Sequence, residues 1–437
     1  MPLTQNEFRN IARQYLTGGV SSSVRINPYT DQPMYLSRAD GAYIYSMDGN
    51  RYLDFFMGHG ACTLGHNRLE IRTALREAIE LGVFAEFDHS LTVELAKKIV
   101  EHIPCAEQVR YVNSGSEGTL LAMRLARGYT GRSKIVRIDG HFHGGHDYAL
   151  ANNLASKIDR ENPGDRLSKI GNLSAGIPDI IRDTLYVIPW NRAEVFEKLA
   201  REKGHEIAAI MMNPIDYNNG CIGTSTEYLQ AIRSICDQHG IVFIMDEILS
   251  GFRTGITCGQ GYYGVTPDLC LLGKALTNGV PLAAIAGKTR IMAKILDPVD
   301  PVIAGGTFSG NLLGCSAGLA AIHIMESPGF FEKWLARVAK FTTSLQAAFD
   351  DDGFPARVQA IGCNFFIYVG TCEPVTNYHA FSKLNPALAK SLFLKCIEKG
   401  VYFHTDFTIS AVHDEDQLAF AVETIRDAAR AAKAEVL

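Results

Sequence analysis

The sequence has no apolar run long enough to cross a bilayer, no excess of positive charge, no CxxC pair and no internal repeat. Each absence narrows the field. The longest apolar runs are of strand length, short of the roughly 18 residues a membrane helix needs, so no membrane-spanning segment is expected. Basic residues number 42 against 47 acidic ones, a net charge of −5. Nothing in that balance would neutralise a phosphate backbone, so nucleic acid is not an expected partner. Ten cysteines are scattered between Cys62 and Cys396. A chain of 437 residues does not need disulfide staples, and these cysteines read as reduced core thiols of a cytoplasmic protein. The opening MPLTQNEFRN has no apolar stretch behind a basic start, so a secretory leader is not expected. What is present is an ordinary globular balance, 47% apolar and 20% charged, in a length that suits two or three structural units.

Lys134–Ile138 is a short β-rich run, and four further runs are apolar without alternation: Ile207–Met212, Ile241–Met245, Leu269–Leu272 and Leu282–Ala286. Strands of this kind are buried on both faces, which predicts a mostly parallel central sheet. Helical patterns lie between them, at Glu117–Tyr129 and at Thr226–His239, the latter capped by Ser225 and closed by Gly240. The alternation predicts an α/β domain over residues 60–325. The ends differ. Residues 1–59 carry hairpin-like pieces, Ala42–Tyr45 and Arg51–Phe56, around Asp48-Gly49-Asn50. Residues 326–437 carry a long helical stretch, a strand at Cys363–Val369 and a closing helix at Glu415–Ala434. The two ends are expected to form one smaller α+β domain. Residues 147–180, rich in Asn, Ser, Gly and Pro, read as a long loop of the kind that often serves as a lid.

Three features carry chemistry. Asn113-Ser114-Gly115-Ser116-Glu117 precedes a helix, where unpaired N–H groups and a bare glycine backbone suit a phosphate. Asp246 ends the apolar strand IVFIMDE, and Lys274 follows the apolar strand LCLL. Ligands of open α/β sheets bind at the carboxyl ends of strands. A carboxylate there needs a partner, and a protonated pyridine nitrogen is one. A partly desolvated lysine there is a nucleophile. Taken singly, each has a plainer reading: a helix cap, an Asp paired with Arg253, a surface lysine. Taken in order, they suit the phosphate, the ring nitrogen and the aldehyde of one cofactor, pyridoxal 5′-phosphate. His141, His143 and His146 have ligand-like spacing, but no Cys or carboxylate cluster joins them, and no metal is expected.

With these residues in place, the sequence resembles the class III aminotransferases, within the fold type I PLP-dependent enzymes. The resemblance is strongest to the branch containing glutamate-1-semialdehyde aminomutase and D-phenylglycine aminotransferase. It runs over nearly the whole chain, through GGVSSSVR (18–25), DGNRYLDFF (48–56), LGH (64–66), NSGSE (113–117), HFHGGHD (141–147), NPIDYNNG (213–220), DEILSGFR (246–253), LGKALTNG (272–279) and GTFSGN (306–311). It implies that Ser114, Gly115 and Ser116 cradle the phosphate, that Phe142 stacks on the pyridine ring, and that Ile248 covers the opposite face. It implies Asn218 at the ring hydroxyl, Asp246 at the ring nitrogen and Lys274 as the Schiff-base lysine, with His143 in the site wall. Thr307 would reach the phosphate of a neighbouring subunit, hence a homodimer with a shared active site. Arg25 would hold a substrate carboxylate, for which its planar fork is suited.

The sequence also departs from that pattern. His59 stands where the aminomutase has tryptophan, Asn213 replaces the Glu of the usual Glu-Pro pair, His404 occupies a Glu position, and Phe142 lacks the usual phenol. Loss of acidic groups argues against glutamate semialdehyde as substrate and towards an aromatic, cyclic or β-amino acid. His59 and His404 join Arg25 as substrate-side candidates. The resemblance thus implies a ping-pong aminotransferase acting on a donor such as L-glutamate and a carboxylate-bearing keto acceptor. A 2,1-aminomutase and an epimerase share the same residues, and a cofactor-binding regulator that has lost catalysis is disfavoured by the retained Lys274, Asp246 and Asn218.

Overall fold

The structure, a computed structural model, describes residues 3–152, 166–171 and 174–436. The expected loop over 147–180 falls partly outside these; its described parts hold short 3₁₀ turns at Asp147–Ala149 and Asp179–Thr184. The chain forms two compact units. One comprises Glu70–Phe330 with Thr376–His379, and the other Met1–Leu69, Phe331–Val375 and Ala380–Leu437.

The larger unit is built on a seven-stranded sheet: β1 (Gln108–Val112), β2 (Lys134–Ile138), β3 (Leu185–Ile188), β4 (Ile207–Met212), β5 (Val242–Glu247), β6 (Leu269–Leu272) and β7 (Ala283–Gly287). The spatial order is β1-β7-β6-β5-β4-β2-β3. β5 pairs in parallel with both β4 and β6, and β2 with both β4 and β3. β7 runs against β6 and β1. β4, β5, β6 and β7 are buried along their whole length, which is why their sequences do not alternate. β1 and β3 escape a reading by apolar runs because QVRYV and LYVI are short and mixed in burial.

Helix α1 (Gly115–Thr130) follows β1. Extended Ser114 caps it, its hydroxyl accepting from the Glu117 N–H at 3.3 Å, and left-handed Gly131 ends it. Capping at Ser114 sets the first turn two residues earlier than the apolar periodicity alone suggests. The buried face of α1, with Leu121, Ala122, Leu125 and Ala126, joins one core with Ile135, Ala209, Ile244, Leu271 and Ile285 of the sheet. Burying each large aliphatic side chain stabilises the fold by about 1.5–3 kcal/mol. Gly118 lets the helix lie close: a Cβ there would stand 3.0 Å from Leu271 Cδ2.

The smaller unit is made from both ends of the chain. Leu36–Asp40, Tyr43–Ser46 and Arg51–Asp54 form an antiparallel meander, to which Val401–Tyr402 adds in parallel with register Val401 to Leu53. A second sheet joins Ala356–Ile361, Asn364–Val369 and Phe407–Thr408. Its core is aromatic: the Phe55 ring packs at 5.3 Å from Phe403, 5.5 Å from Phe365 and 5.6 Å from Phe341. Gly118→Val would overpack the contact between α1 and β6. We expect a loss of about 1–3 kcal/mol in urea unfolding; an unchanged midpoint would show that the helix does not sit this close.

Candidate active site

The parallel strands end on one edge of the sheet, and the chemistry collects there. Asp246 pairs in register with Leu271, so Asp246 and the Lys274 that follows β6 leave adjacent strands at the same edge. β4 delivers Asn213, β2 leads to His141–His143, and β1 leads to the start of α1. Gly115, Ser116, Phe142, His143, Asn218, Asp246, Ile248 and Lys274 line one cavity of about 160 Å³. Two expected residues are not brought to it. Ser114 is exposed and serves as the helix cap, and Thr307 is exposed, its carbonyl accepting from the Glu86 N–H. Ser114 faces outward because the cap geometry turns its hydroxyl back onto its own helix.

Asp246 is 2% exposed and surrounded by donors. Its Oδ1 accepts from the Ile248 N–H at 3.0 Å, and its Oδ2 lies 2.7 Å from His143 Nδ1. Burial pulls the His143 ring below its ordinary range, against the opposing pull of Asp246, and the Arg137 charge depresses it further. A neutral His143 therefore donates Nδ1–H to the carboxylate, leaving Nε2 without a hydrogen-bond partner among the described residues. Arg137 is fully buried and held by the carbonyls of Ala151 (2.6 Å) and His141 (2.8 Å). Asn213 ties two strand ends together, its Nδ2 donating to the Asp246 carbonyl at 3.1 Å while its N–H donates to His141 Nδ1.

Lys274 has φ of 47°, a left-handed conformation uncommon for a residue with a side chain. The preceding Gly273 has no room for a Cβ, which would lie 3.0 Å from Ile248 Cδ1. Gly115 is likewise tight, since its Cβ would meet the Ile248 side chain at 3.1–3.2 Å and push it aside by a few tenths of an ångström. Gly144, at φ +103°, passes so close to Ser116 that a Cβ would stand 2.8 Å from its Cα; the next residue, Gly145, donates its N–H to Ser116 Oγ at 3.0 Å.

Asn218 is positioned by a residue that sequence reasoning passed over. Buried Asp216 accepts from the N–H groups of Asn218 (3.0 Å) and Asn219 (3.3 Å), from Asn219 Nδ2, and from the Tyr378 hydroxyl at 2.6 Å. An Asp two residues before Asn in NPIDYNNG is the mark of an Asx turn, and that signal was available. Tyr378 was not, because it comes from the distant four-residue piece that packs with the larger unit.

The three substrate-side candidates lie in the smaller unit. Arg25 is exposed, its guanidinium donating to Ser21 Oγ. His59 is in a left-handed turn at φ 58°, with its ring 5.8 Å from Phe56. His404 stacks on the same Phe56 at 4.3 Å, and burial pushes its imidazole down to about 4.

A capped helix start, a buried carboxylate with a neutral histidine behind it, an amide-bearing Asn and a lysine on one cavity fit the parts of pyridoxal 5′-phosphate. The comparisons agree with that fit. Residues 26–428 match the family model for class III aminotransferases. The glutamate-1-semialdehyde 2,1-aminomutase of Methanocaldococcus jannaschii is 35% identical over 423 residues, 95% of each chain. An omega-transaminase from Sphaerobacter thermophilus superposes with a TM-score of 0.92 at 27% identity, over 98% of both chains. A transaminase with PLP bound superposes with a TM-score of 0.88 at 25% identity, over 99% of both. The fold is that of the fold type I transaminases.

Two predictions follow from these contacts. Tyr378→Phe removes one donor from buried Asp216; we expect a loss of about 1–3 kcal/mol in stability and faster cofactor loss on dialysis, and wild-type behaviour in both would contradict the Asp216 account. His146, His404 and His413 are each pushed down to about 4 by burial. Unfolded imidazole titrates near 6.5, so between those values the unfolded chain binds protons that the folded chain does not. Their contribution is complete above pH 6.5 and is lost as pH falls through 4, on the order of 1–3 kcal/mol each. Urea midpoints at pH 7.0, 5.5 and 4.5 should fall in that order; a flat series would contradict the burial argument.

Proposed function

Because the chain belongs to the class III aminotransferases, we propose that it transfers an amino group from a donor such as L-glutamate to a carboxylate-bearing keto acceptor, with pyridoxal 5′-phosphate as cofactor. The reading rests above all on Asp246 and Lys274 leaving adjacent parallel strands beside the capped start of α1. When bound, the cofactor supplies an electron sink that makes the proton on the amine-bearing carbon removable at neutral pH, and a carrier for the amino group.

The chain's residues supply the rest. The N–H groups of Gly115 and Ser116 bind the phosphate at the positive end of α1. Asp246 holds the proton on the ring nitrogen, and His143, donating Nδ1–H, keeps that carboxylate oriented. Asn218 orients the ring hydroxyl. Phe142 and Ile248 cover the two ring faces and exclude water. Lys274 Nζ would hold the cofactor at its aldehyde carbon; once the incoming substrate amine had displaced it, the freed amine would take the proton from the substrate carbon as general base and give it back as general acid. Arg25 binds the substrate carboxylate, with His59 and His404 shaping the substrate side. Thr307, exposed on its own chain, binds the phosphate of a second copy in a homodimer with shared active sites. The location is cytoplasmic.

A 2,1-aminomutase is the second reading, supported by the 35% identity to such an enzyme. The replacements at His59, Asn213 and His404 speak for the transferase, with an aromatic, cyclic or β-amino acid as the partner. The test adds L-glutamate to the holoenzyme without an acceptor. Release of one 2-oxoglutarate per site, with loss of the visible band of the lysine-linked cofactor, is the expected result. No release, with isomerisation of glutamate-1-semialdehyde instead, would replace the transferase by the mutase. Lys274→Ala should lower kcat by at least about 10²–10⁴-fold while the protein keeps its fold; undiminished turnover would overturn the role of Lys274.

A further inference from the structure

Helix α1 carries a buried hydroxyl that the amino-transfer reading does not use. Thr119 is 1% exposed and lines the same cavity as Gly115 and Lys274. It follows Ser116 by three residues, so the two hydroxyls share one face of the helix. Three groups surround Thr119 Oγ1: the Ser116 carbonyl at 3.1 Å, the His143 carbonyl at 2.6 Å and His146 Nε2 at 3.0 Å. A threonine inside a helix commonly bonds back to a carbonyl of the preceding turn. Here that bond is the longer one. The shorter one leaves the helix and reaches the residue whose ring faces Asp246.

A hydroxyl has a single proton to give, and a carbonyl can only accept. The Thr119 proton therefore points to the His143 carbonyl, and the Thr119 oxygen accepts from His146. That places the hydrogen of the neutral His146 ring on Nε2. Burial, with the Arg137 charge nearby, pushes this imidazole down to about 4, so it is uncharged at neutral pH. Its Nδ1, the bare nitrogen of that tautomer, has no hydrogen-bond partner among the described residues. Ser116 completes the grip. Its Oγ accepts from the Gly145 N–H at 3.0 Å, and Gly144 between them lies so close that a Cβ would stand 2.8 Å from Ser116 Cα. The two hydroxyls of α1 thus hold both ends of the segment 143–145.

We propose that Thr119 is a positioning residue: its hydroxyl, braced by His146, holds the His143 carbonyl so that the His143 ring meets Asp246, and it ties that contact to the phosphate-binding start of α1. This rests on the reading of the cavity as the cofactor site. His143 Nδ1 stands 2.7 Å from Asp246 Oδ2. A backbone held at its carbonyl leaves the attached ring little freedom to turn away from the carboxylate. Released from Thr119, the His143 ring swings, and one oxygen of a carboxylate only 2% exposed loses its donor. Asp246 then holds the ring nitrogen of the cofactor less firmly. Thr119 acts there through His143, without touching the ring.

The test is a double-mutant cycle between Thr119 and His143. It is read first as cofactor affinity and as visible circular dichroism of the cofactor-loaded protein, with no donor present. Thr119→Val keeps the shape of the side chain and deletes the hydroxyl. It should weaken cofactor binding about five- to a hundred-fold and lower the visible dichroism. Thr119→Ser keeps the hydroxyl and should bring affinity back to within about three-fold of wild type and restore the dichroism. In a His143→Leu background, Thr119→Val should add less than about two-fold, because the contact it supports is already gone. His146→Leu should shift affinity and dichroism in the same direction as Thr119→Val, and it carries the test if that variant does not fold. With donor added, kcat should fall while KM stays within about two-fold. Wild-type affinity in folded Thr119→Val or His146→Leu, no recovery in Thr119→Ser, or an undiminished effect in the His143→Leu background would overturn the proposal. The affinities are measured before any donor is added, so they judge Thr119 even if the glutamate test replaces the transferase by the mutase.

Discussion

A carboxylate that is 2% exposed must find its donors within the protein, and the way Asp246 finds them organises the larger unit. The Ile248 N–H takes one oxygen and His143 the other, while Asn213 holds the carbonyl behind it. Meeting those three demands fixes the ends of β2, β4 and β5 relative to one another. The parallel register of β5 and β6 then leaves Lys274 beside the same cavity. The histidine works as a donor because burial and Arg137 keep it neutral. A charged imidazole there would neutralise the carboxylate that the proposed chemistry needs at the ring nitrogen.

Close approach is the second constraint. Gly115 and Gly273 both meet Ile248 where a Cβ would crowd its side chain, and Gly144 lies against Ser116 where a Cβ would clash. These glycines draw the helix start, the lysine and the loop after β2 onto one small space. Lys274 takes a left-handed φ there, a local strain that surrounding packing must hold. The two units differ in how they reach stability. The larger one buries aliphatic strands under a helix, and the smaller one packs rings around Phe55.

Much of this was legible in the sequence, for identifiable reasons. Strands buried on both faces show as unbroken apolar runs, and so β4, β5 and β6 could be read directly. Asp246 and Lys274 stood out because each breaks such a run at its end. β1 and β3 did not, since partial burial leaves no clear period in so few residues. The antiparallel direction of β7 was hidden as well, because burial is the same whichever way a strand runs. Asp216 could have been found from turn chemistry. Tyr378 and the Asp54–His66 pair could not be recognised, since their partners meet only through the fold. Ser114 has a second role that its motif does not display, since its side chain caps the helix.

The central claim is that one lysine, at the end of β6, carries the cofactor. Borohydride treatment of the cofactor-loaded protein fixes the link between lysine and cofactor, and peptide mass spectrometry then locates it. The account predicts a single phosphopyridoxyl group on the peptide containing Lys274. A label on any other lysine, or none at all, would contradict it.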